Sequence, residues 1–471
     1  MEKWVTTPTN AYEFLLSAPW PITWAYWVLG AIILAGSFVA LRGPRGNEAG
    51  TKQKVARKQV SNSLPRRLLF FGLPLLWLVW QCLATAHSVS PQLSTATLKH
   101  FTACIVCFFL GLLSLRRTGC LWPFSAGLLC GFLLVLTFGW DQHLGGLEET
   151  RRYFFAYLYD HSTALPPEYL KKIRSERIYS TLFYPNTLAG VLLLLLPAML
   201  VTIWRLPAGG PSTPRARTSK YFRLAGFGTG TLASFCFLRF GSKGASVLAL
   251  LFALPMLLPM WRACITGLLA LAALACLYWS GSKGGWLLML LLGLIVLFRL
   301  PMGKKFKIAL TIGIFVFGLA GFFWKYSDFF KKGATSVSAR FDYWRAALQT
   351  AKDNPVFGTG PGTFAIPYEK LKRPDAEMAR LVHNDYLEQA SDSGVVGWLT
   401  YTIFIVAALI LGFPKNDWPA FSVWLGVLGW SLQSLFEFGL YIPALAWPAF
   451  ALLGWLLARS RNPIDKPSVP A

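Results

Sequence analysis

The residues best suited to chemistry in this chain gather in one run, Leu381-Val-His-Asn-Asp-Tyr-Leu-Glu-Gln-Ala-Ser-Asp-Ser-Gly-Val-Val-Gly-Trp398. Imidazole titrates near neutrality, so a neutral His383 suits the removal of a proton from a hydroxyl. Asn384, Asp385 and Tyr386 flank it as supporting groups. Asp385, Glu388, Asp392 and the more distant Glu437 are rival bases. Glu437 lies among apolar neighbours in Phe436-Glu-Phe-Gly-Leu-Tyr441. An ionisable group in such a setting is either functional or the partner of an arginine. A lone polar histidine is more commonly an ordinary surface residue, and local context alone does not decide for His383.

The second set of candidates is cationic: Arg177, Lys243, Lys283, Arg340, Arg345 and Arg380. Lys243 and Lys283 sit in a repeated tetrapeptide, Gly241-Ser-Lys-Gly244 and Gly281-Ser-Lys-Gly284, each opening a helix. Backbone N–H groups and the helix dipole favour an anion at such a position. Arginine would grip a diphosphate as a fork and lysine as a point charge. The competing reading is that these cations snorkel to lipid phosphates.

Several motif readings fail. Gly-Ser-Lys-Gly lacks the full spacing of a nucleotide-binding P-loop, and Gly358-Thr-Gly-Pro-Gly362 lacks the preceding strand of a dinucleotide fingerprint. The latter reads as a tight loop that shapes a pocket. The five histidines show no HxxxH or HExxH spacing, so no metal site is expected. No cofactor is expected either. Cys82, Cys104, Cys107, Cys120, Cys130, Cys236, Cys264 and Cys276 lie in or beside apolar segments and suggest no disulfide framework.

The elements that must position these groups are membrane helices. The chain of 471 residues is 55% hydrophobic and only 14% charged, against about 25% charged in soluble domains. Thirteen apolar segments are expected, at 22–41, 67–85, 98–115, 121–140, 181–204, 222–238, 245–260, 262–279, 284–298, 306–324, 394–413, 418–436 and 441–458. Such runs require helices, because backbone groups in lipid must be satisfied locally. The fold class expected is an all-α, polytopic transmembrane bundle of twelve or thirteen helices, with a long, partly helical loop between late helices.

Loop charge orients it. Residues 42–67 hold eight lysines and arginines against Glu48 alone, which marks that loop as cytoplasmic. Alternation then places most of the net charge of +24 on the cytoplasmic face, where basic connectors meet anionic headgroups. Membrane lipids, not nucleic acid, account for the surplus. Asp141–Ser180 and Lys325–Ser393 become the two long external segments. His383 and the candidate cations fall on the external side.

The combination Arg340…Trp344…Asn354-Pro-x-x-Gly-x-Gly-x-Gly…His383-Asn-x-Tyr-Leu…Gly394-x-x-Gly397 resembles the O-antigen ligase and polymerase superfamily of bacterial inner-membrane glycosyltransferases. Arg177…Phe183-Tyr-Pro-Asn-Thr-Leu-Ala189 is similar to an earlier motif of that family. The likeness covers about residues 175–440, which sets a ligase-like region, 175–471, apart from N-terminal helices, 1–174. It implies an undecaprenyl-diphosphate-linked glycan as donor, a lipid A–core or glycan acceptor, and metal-independent, inverting transfer at the external face. It implies His383 as general base and Arg177 and Arg340 as diphosphate or structural cations. Lys243 and Lys283 stand where family members commonly have arginine. A transporter or channel is the alternative class. It would favour ionisable residues along mid-membrane helices, whereas here charge concentrates at one face.

Overall fold

The structure, a computed structural model, describes residues 22–41, 68–115, 118–158, 170, 173–182, 184–206, 214–239, 242–258, 260–327, 335–374 and 376–460. The basic loop 42–67, His161, Gly241 and the tail from 461 lie outside the described residues. In chain order the helices are α1 (Ile22–Leu41), α2 (Leu73–Ala86), α3 (Pro91–Leu113), α4 (Thr118–Asp141), α5 (Leu147–Tyr153), α6 (Pro185–Trp204), α7 (Pro214–Arg239) and α8 (Lys243–Ala253). There follow α9 (Trp261–Ser280), α10 (Lys283–Arg299), α11 (Lys304–Lys325), α12 (Thr335–Asp353), α13 (Ala365–Leu371), α14 (Asp385–Leu411), α15 (Trp418–Gln433) and α16 (Pro443–Ser460). No strand occurs among the described residues.

Each of the thirteen expected apolar segments coincides with a helix. Among the described residues, six spans meet the length and apolarity of a bilayer crossing: Pro91–Leu113, Leu121–Ala156, Pro185–Trp204, Trp261–Ser280, Lys304–Lys325 and Asp385–Leu411. This is a polytopic helical bundle of the kind the composition requires. Two further helices, α12 and α13, lie in the long late loop, as its partly helical reading expected.

The helix expected at 394–413 starts at a kink at Gly394, and a polar helical stretch from Asp385 leads into it. A hydropathy reading takes that stretch for loop. Acidic side chains are in fact favourable at a helix N-terminus, where they face the positive end of the dipole.

The chain forms two compact units. The first holds Leu121–Pro301 and Asn416–Trp430. Its most enclosed helix is α6, and a Cβ at Gly426 of α15 would collide with the Leu194 backbone. Helices α7 and α8 are tied by Ser234 and Ser246, whose hydroxyls lie 2.9 Å apart.

The second unit holds Trp20–Cys120, Met302–Lys415 and Ser431–Ala471. Helices α3 and α16 cross where Gly111 meets the Ala451 backbone and Gly454 meets that of Phe108, with no room for a Cβ at either glycine. Small residues allow this approach where lipid removes the hydrophobic drive to pack. Trp77 of α2 is fully buried against the rings of Phe101, Tyr401 and Phe450. Helix α11 buries no side chain. Its charges, Lys304, Lys305, Lys307 and Lys325, stand near its ends, as in a span covered by lipid.

Candidate active site

The site of the second unit is built on the N-terminus of α14. Asn384 is its N-cap: the side-chain oxygen accepts Tyr386 N–H and Leu387 N–H, both at 3.1 Å. Asp385 and Glu388 fill the first turn. The residue just before the cap is His383, held at φ +57° in the left-handed region. Non-glycine residues are uncommon there and persist only where their surroundings impose it.

Those surroundings are specific. The His383 ring stacks on Tyr343 of α12 at 5.8 Å between centroids and meets Phe438 edge-on at 4.7 Å. Its Nδ1 lies 3.3 Å from Glu437 Oε2. A carboxylate accepts, so Nδ1 carries the hydrogen, and in the neutral imidazole that leaves the lone pair to Nε2. The same carboxylate pairs with the Arg340 guanidinium through its other oxygen. Arg340 is held in turn by Phe436 C=O at 3.0 Å and Ser336 C=O at 3.2 Å. Glu437 is therefore at once the partner of an arginine and of the candidate base. This arrangement can hold one imidazole tautomer and stabilise the imidazolium formed when it takes a proton.

The other described histidines are differently engaged. His100 accepts from Trp447 Nε1 at 3.2 Å and donates to Leu440 C=O at 2.7 Å, so both ring nitrogens serve packing. His87 bonds Leu83 C=O and lies flat on Phe357, and His143 stacks on Trp279. Among the described residues, His383 is the histidine paired with a carboxylate.

The glycine loop docks against α14. Gly394 has φ +67° and ψ −171°, a conformation essentially confined to glycine. It breaks the helix and exposes the carbonyls one turn back. Ser391 C=O accepts Thr359 N–H at 3.1 Å, and Asp392 C=O accepts Gly360 N–H at 2.8 Å. Val395 N–H donates to Pro355 C=O at 2.9 Å, and Gly362 N–H to Asp392 Oδ2 at 2.6 Å. These amides are engaged by the protein itself. The loop is tight, as expected, and docks on α14 with its amides already engaged.

One face of α14 carries three fully buried carboxylates, each tied to a neighbouring loop. Asp385 accepts Leu440 N–H at 2.8 Å, Glu388 accepts Val382 N–H at 3.3 Å, and Asp392 accepts Gly362 N–H and, at 3.1 Å, Tyr441 O–H. They act as tethers between α14 and those segments. Gln81 and Gln389, which the sequence reading missed, bridge α2 to α14: Trp77 Nε1 and Gln81 Nε2 both donate to Gln389 Oε1, at 2.8 and 3.0 Å.

Asp342 was missed too. It is a buried residue of α12 that receives Arg345 at 2.9 Å and, from α13, Tyr368 O–H at 3.1 Å. Burial alone would raise its pKa; the Arg345 and Tyr368 hydrogen bonds outweigh that and hold it below the usual carboxylate range. Arg345 is thus engaged within the fold, while Arg380 is exposed. Among the described residues no group of three His, Cys, Asp or Glu is arranged to hold a metal ion.

In the first unit, Arg177 joins two sequence motifs. Its Nε donates to Ser280 C=O at 2.7 Å and an NH2 group to Asn186 Oδ1 at 2.9 Å. Its side chain lies along Gly281, in the turn that Lys283 follows. Gln142, another residue the motifs did not reveal, braces this stretch: its Oε1 accepts Tyr179 N–H at 2.9 Å and Ser180 N–H at 2.7 Å. The two Gly-Ser-Lys-Gly turns differ. At Lys243 the Asp141 carboxylate accepts Ser242 O–H at 2.6 Å and the backbone of Gly244 and Ala245, so an anion already occupies the α8 N-terminus. At Lys283 the cap is the neutral Ser282 hydroxyl, 3.3 Å from Gly285 N.

The fold and the pinned histidine define a polytopic helical membrane protein with a site built at the head of one late helix. Residues 268–402 match the model of the O-antigen ligase family. That stretch contains Arg340, the glycine loop and His383, and the resemblance read from the motifs stands on it. The chain is also 32% identical over 161 residues to an uncharacterized protein of Haemophilus influenzae, over 29% of this chain and 40% of that protein.

Proposed function

We propose that this chain transfers a glycan from undecaprenyl diphosphate to an acceptor sugar hydroxyl, a lipid A–core glycan or another glycan, at the external face of a bacterial inner membrane. The observation that carries this reading is the His383–Glu437–Arg340 arrangement beside the N-cap of α14, with His383 and Arg340 inside the matched ligase region. His383 is the general base, Glu437 orients it, and Arg340 holds Glu437 in place. A lipid diphosphate leaves readily, so no nucleotide is needed, and displacement by one activated hydroxyl inverts the anomeric centre without a metal.

Arg177, Lys283, Lys243 and the exposed Arg380 are the cations proposed to stabilise the diphosphate. Of the two lysine turns, the second fits better. Its cap is the neutral Ser282 hydroxyl, where the first turn has Asp141, and Arg177 reaches the same turn.

The test is turnover of a lipid-linked oligosaccharide by purified protein carrying His383→Gln, alongside donor binding. Retained binding with turnover down by about 10²–10⁴-fold is the expected result. Near-normal turnover would shift the base to Asp385, Glu388 or Glu437. Deleting the gene in its host should cause lipid-linked glycan to accumulate. A defect confined to uptake of a small solute would instead indicate a transporter.

A further inference from the structure

The first unit has a cavity that the proposed chemistry does not use. It measures about 610 Å³ and is lined by Glu148, Arg151, Arg152, Phe155, Ala156 and Arg174. Arg151 is structural. It donates to Ile173, Arg174 and Ser175 carbonyls at 3.0, 3.2 and 2.9 Å and to Glu148 at 2.8 Å, clipping α5 to the segment at 173–175. The clip engages Glu148, the acid among the described lining residues, and Arg152 and Arg174 stand at the same wall. Arg152 and Arg174 are exposed, and among the described residues no ion pair or hydrogen bond engages either guanidinium. Phe155 and Ala156 supply an apolar side.

Two exposed guanidiniums at one cavity wall offer an anion two sets of cationic donors, and arginine favours the bidentate geometry of a phosphate. An apolar wall beside them suits a ligand with a carbon skeleton attached to that phosphate. We propose that this cavity is an anion site for a phosphate monoester or diester, held by Arg152 and Arg174 and independent of His383 and its partners. A lipid headgroup and a soluble phosphorylated molecule share this chemistry.

The experiment uses the full chain in detergent and two probes: inorganic phosphate, followed by calorimetry, and dihexanoyl phosphatidic acid against dihexanoyl phosphatidylcholine, followed by native mass spectrometry. The expected result is retention of phosphatidic acid over phosphatidylcholine, weakened about 10-fold or more by Arg152→Ala with Arg174→Ala. Capture of inorganic phosphate with the same mutational loss would assign the site to soluble phosphates; capture of phosphatidic acid alone would assign it to a lipid. Arg152→Lys with Arg174→Lys keeps the charge and should retain part of the binding. If the alanine pair fails to fold, salt decides with the native chain, since an exposed site is screened at 0.5 M salt, where the Debye length is only about 4 Å. Binding unchanged by the alanine pair, or unmoved by salt, would overturn the proposal.

Discussion

Glu437 Oε2 lies 3.3 Å from His383 Nδ1, and the other oxygen of that carboxylate pairs with Arg340. The relationship separates orienting from reacting. Glu437→Gln keeps size but can present its amide N–H to Nδ1 and favour the wrong tautomer. Turnover should fall about 10–100-fold with donor affinity little changed, a smaller loss than in His383→Ala. Steady-state kinetics on a lipid-linked donor reads the split between kcat and KM. An equal rise in KM would make Glu437 a binding residue.

Arg340→Ala leaves the nearly buried Glu437 without its cation. The expected destabilisation is about 3 kcal/mol, together with loss of turnover. Arg340→Ala combined with Glu437→Gln should recover much of the stability but not the activity. Thermal melts of the two single variants and the double variant measure the coupling.

Gly394→Ala places a side chain at φ +67° with the Val356 carbonyl in its path. Strain of about 1–3 kcal/mol is expected, and the contacts of α14 with the glycine loop should open. Faster hydrogen exchange at Thr359 and Gly360 would report it. Gly127, whose added Cβ would meet nothing within 4 Å, is the control.

Asp342 gives a pH dependence. Its folded pKa lies below the ordinary 3.8, so its contribution to stability is present above that value and is lost as pH falls through the folded pKa. The α12–α13 region should loosen in that acid window, and Asp342→Asn should be weaker at neutral pH yet lack this component. Comparing acid melts of the two proteins isolates it from the other carboxylates. Parallel curves would remove Asp342 from the account.

The two lysine turns should respond differently. Lys283→Ala is expected to impair donor use more than Lys243→Ala, because Asp141 already supplies an anion at the α8 N-terminus. Arginine should restore function better than alanine at position 283. Equal, wild-type behaviour of both alanine variants would assign the lysines to lipid headgroups.

Sidedness rests on loop charge. A cysteine at Ser336 should react with an impermeant thiol reagent in spheroplasts, and one at Thr51 should not. Reversed labelling would end the lipid-diphosphate proposal.

The sequence by itself determined the helices, the class and the chemical vocabulary of the site, because apolar run length, capping residues and loop charge act over a few neighbours. Asn384 could be read as polar and close to a helix, but the acidic turn after it hid the helix start, since hydropathy does not register the dipole. Only the tertiary structure decided which charges meet. His383 and Glu437 are 54 residues apart and Arg340 and Glu437 are 97 apart, and no local preference encodes such pairs. The glycine motif likewise announced a tight loop without naming its receptor. That receptor is a break in α14 whose exposed carbonyls exist only once Gly394 has turned the helix. Asp141 and Gln142 carried no motif because their task is to fill a helix terminus and brace a loop, and the groups they satisfy come together only when the chain packs.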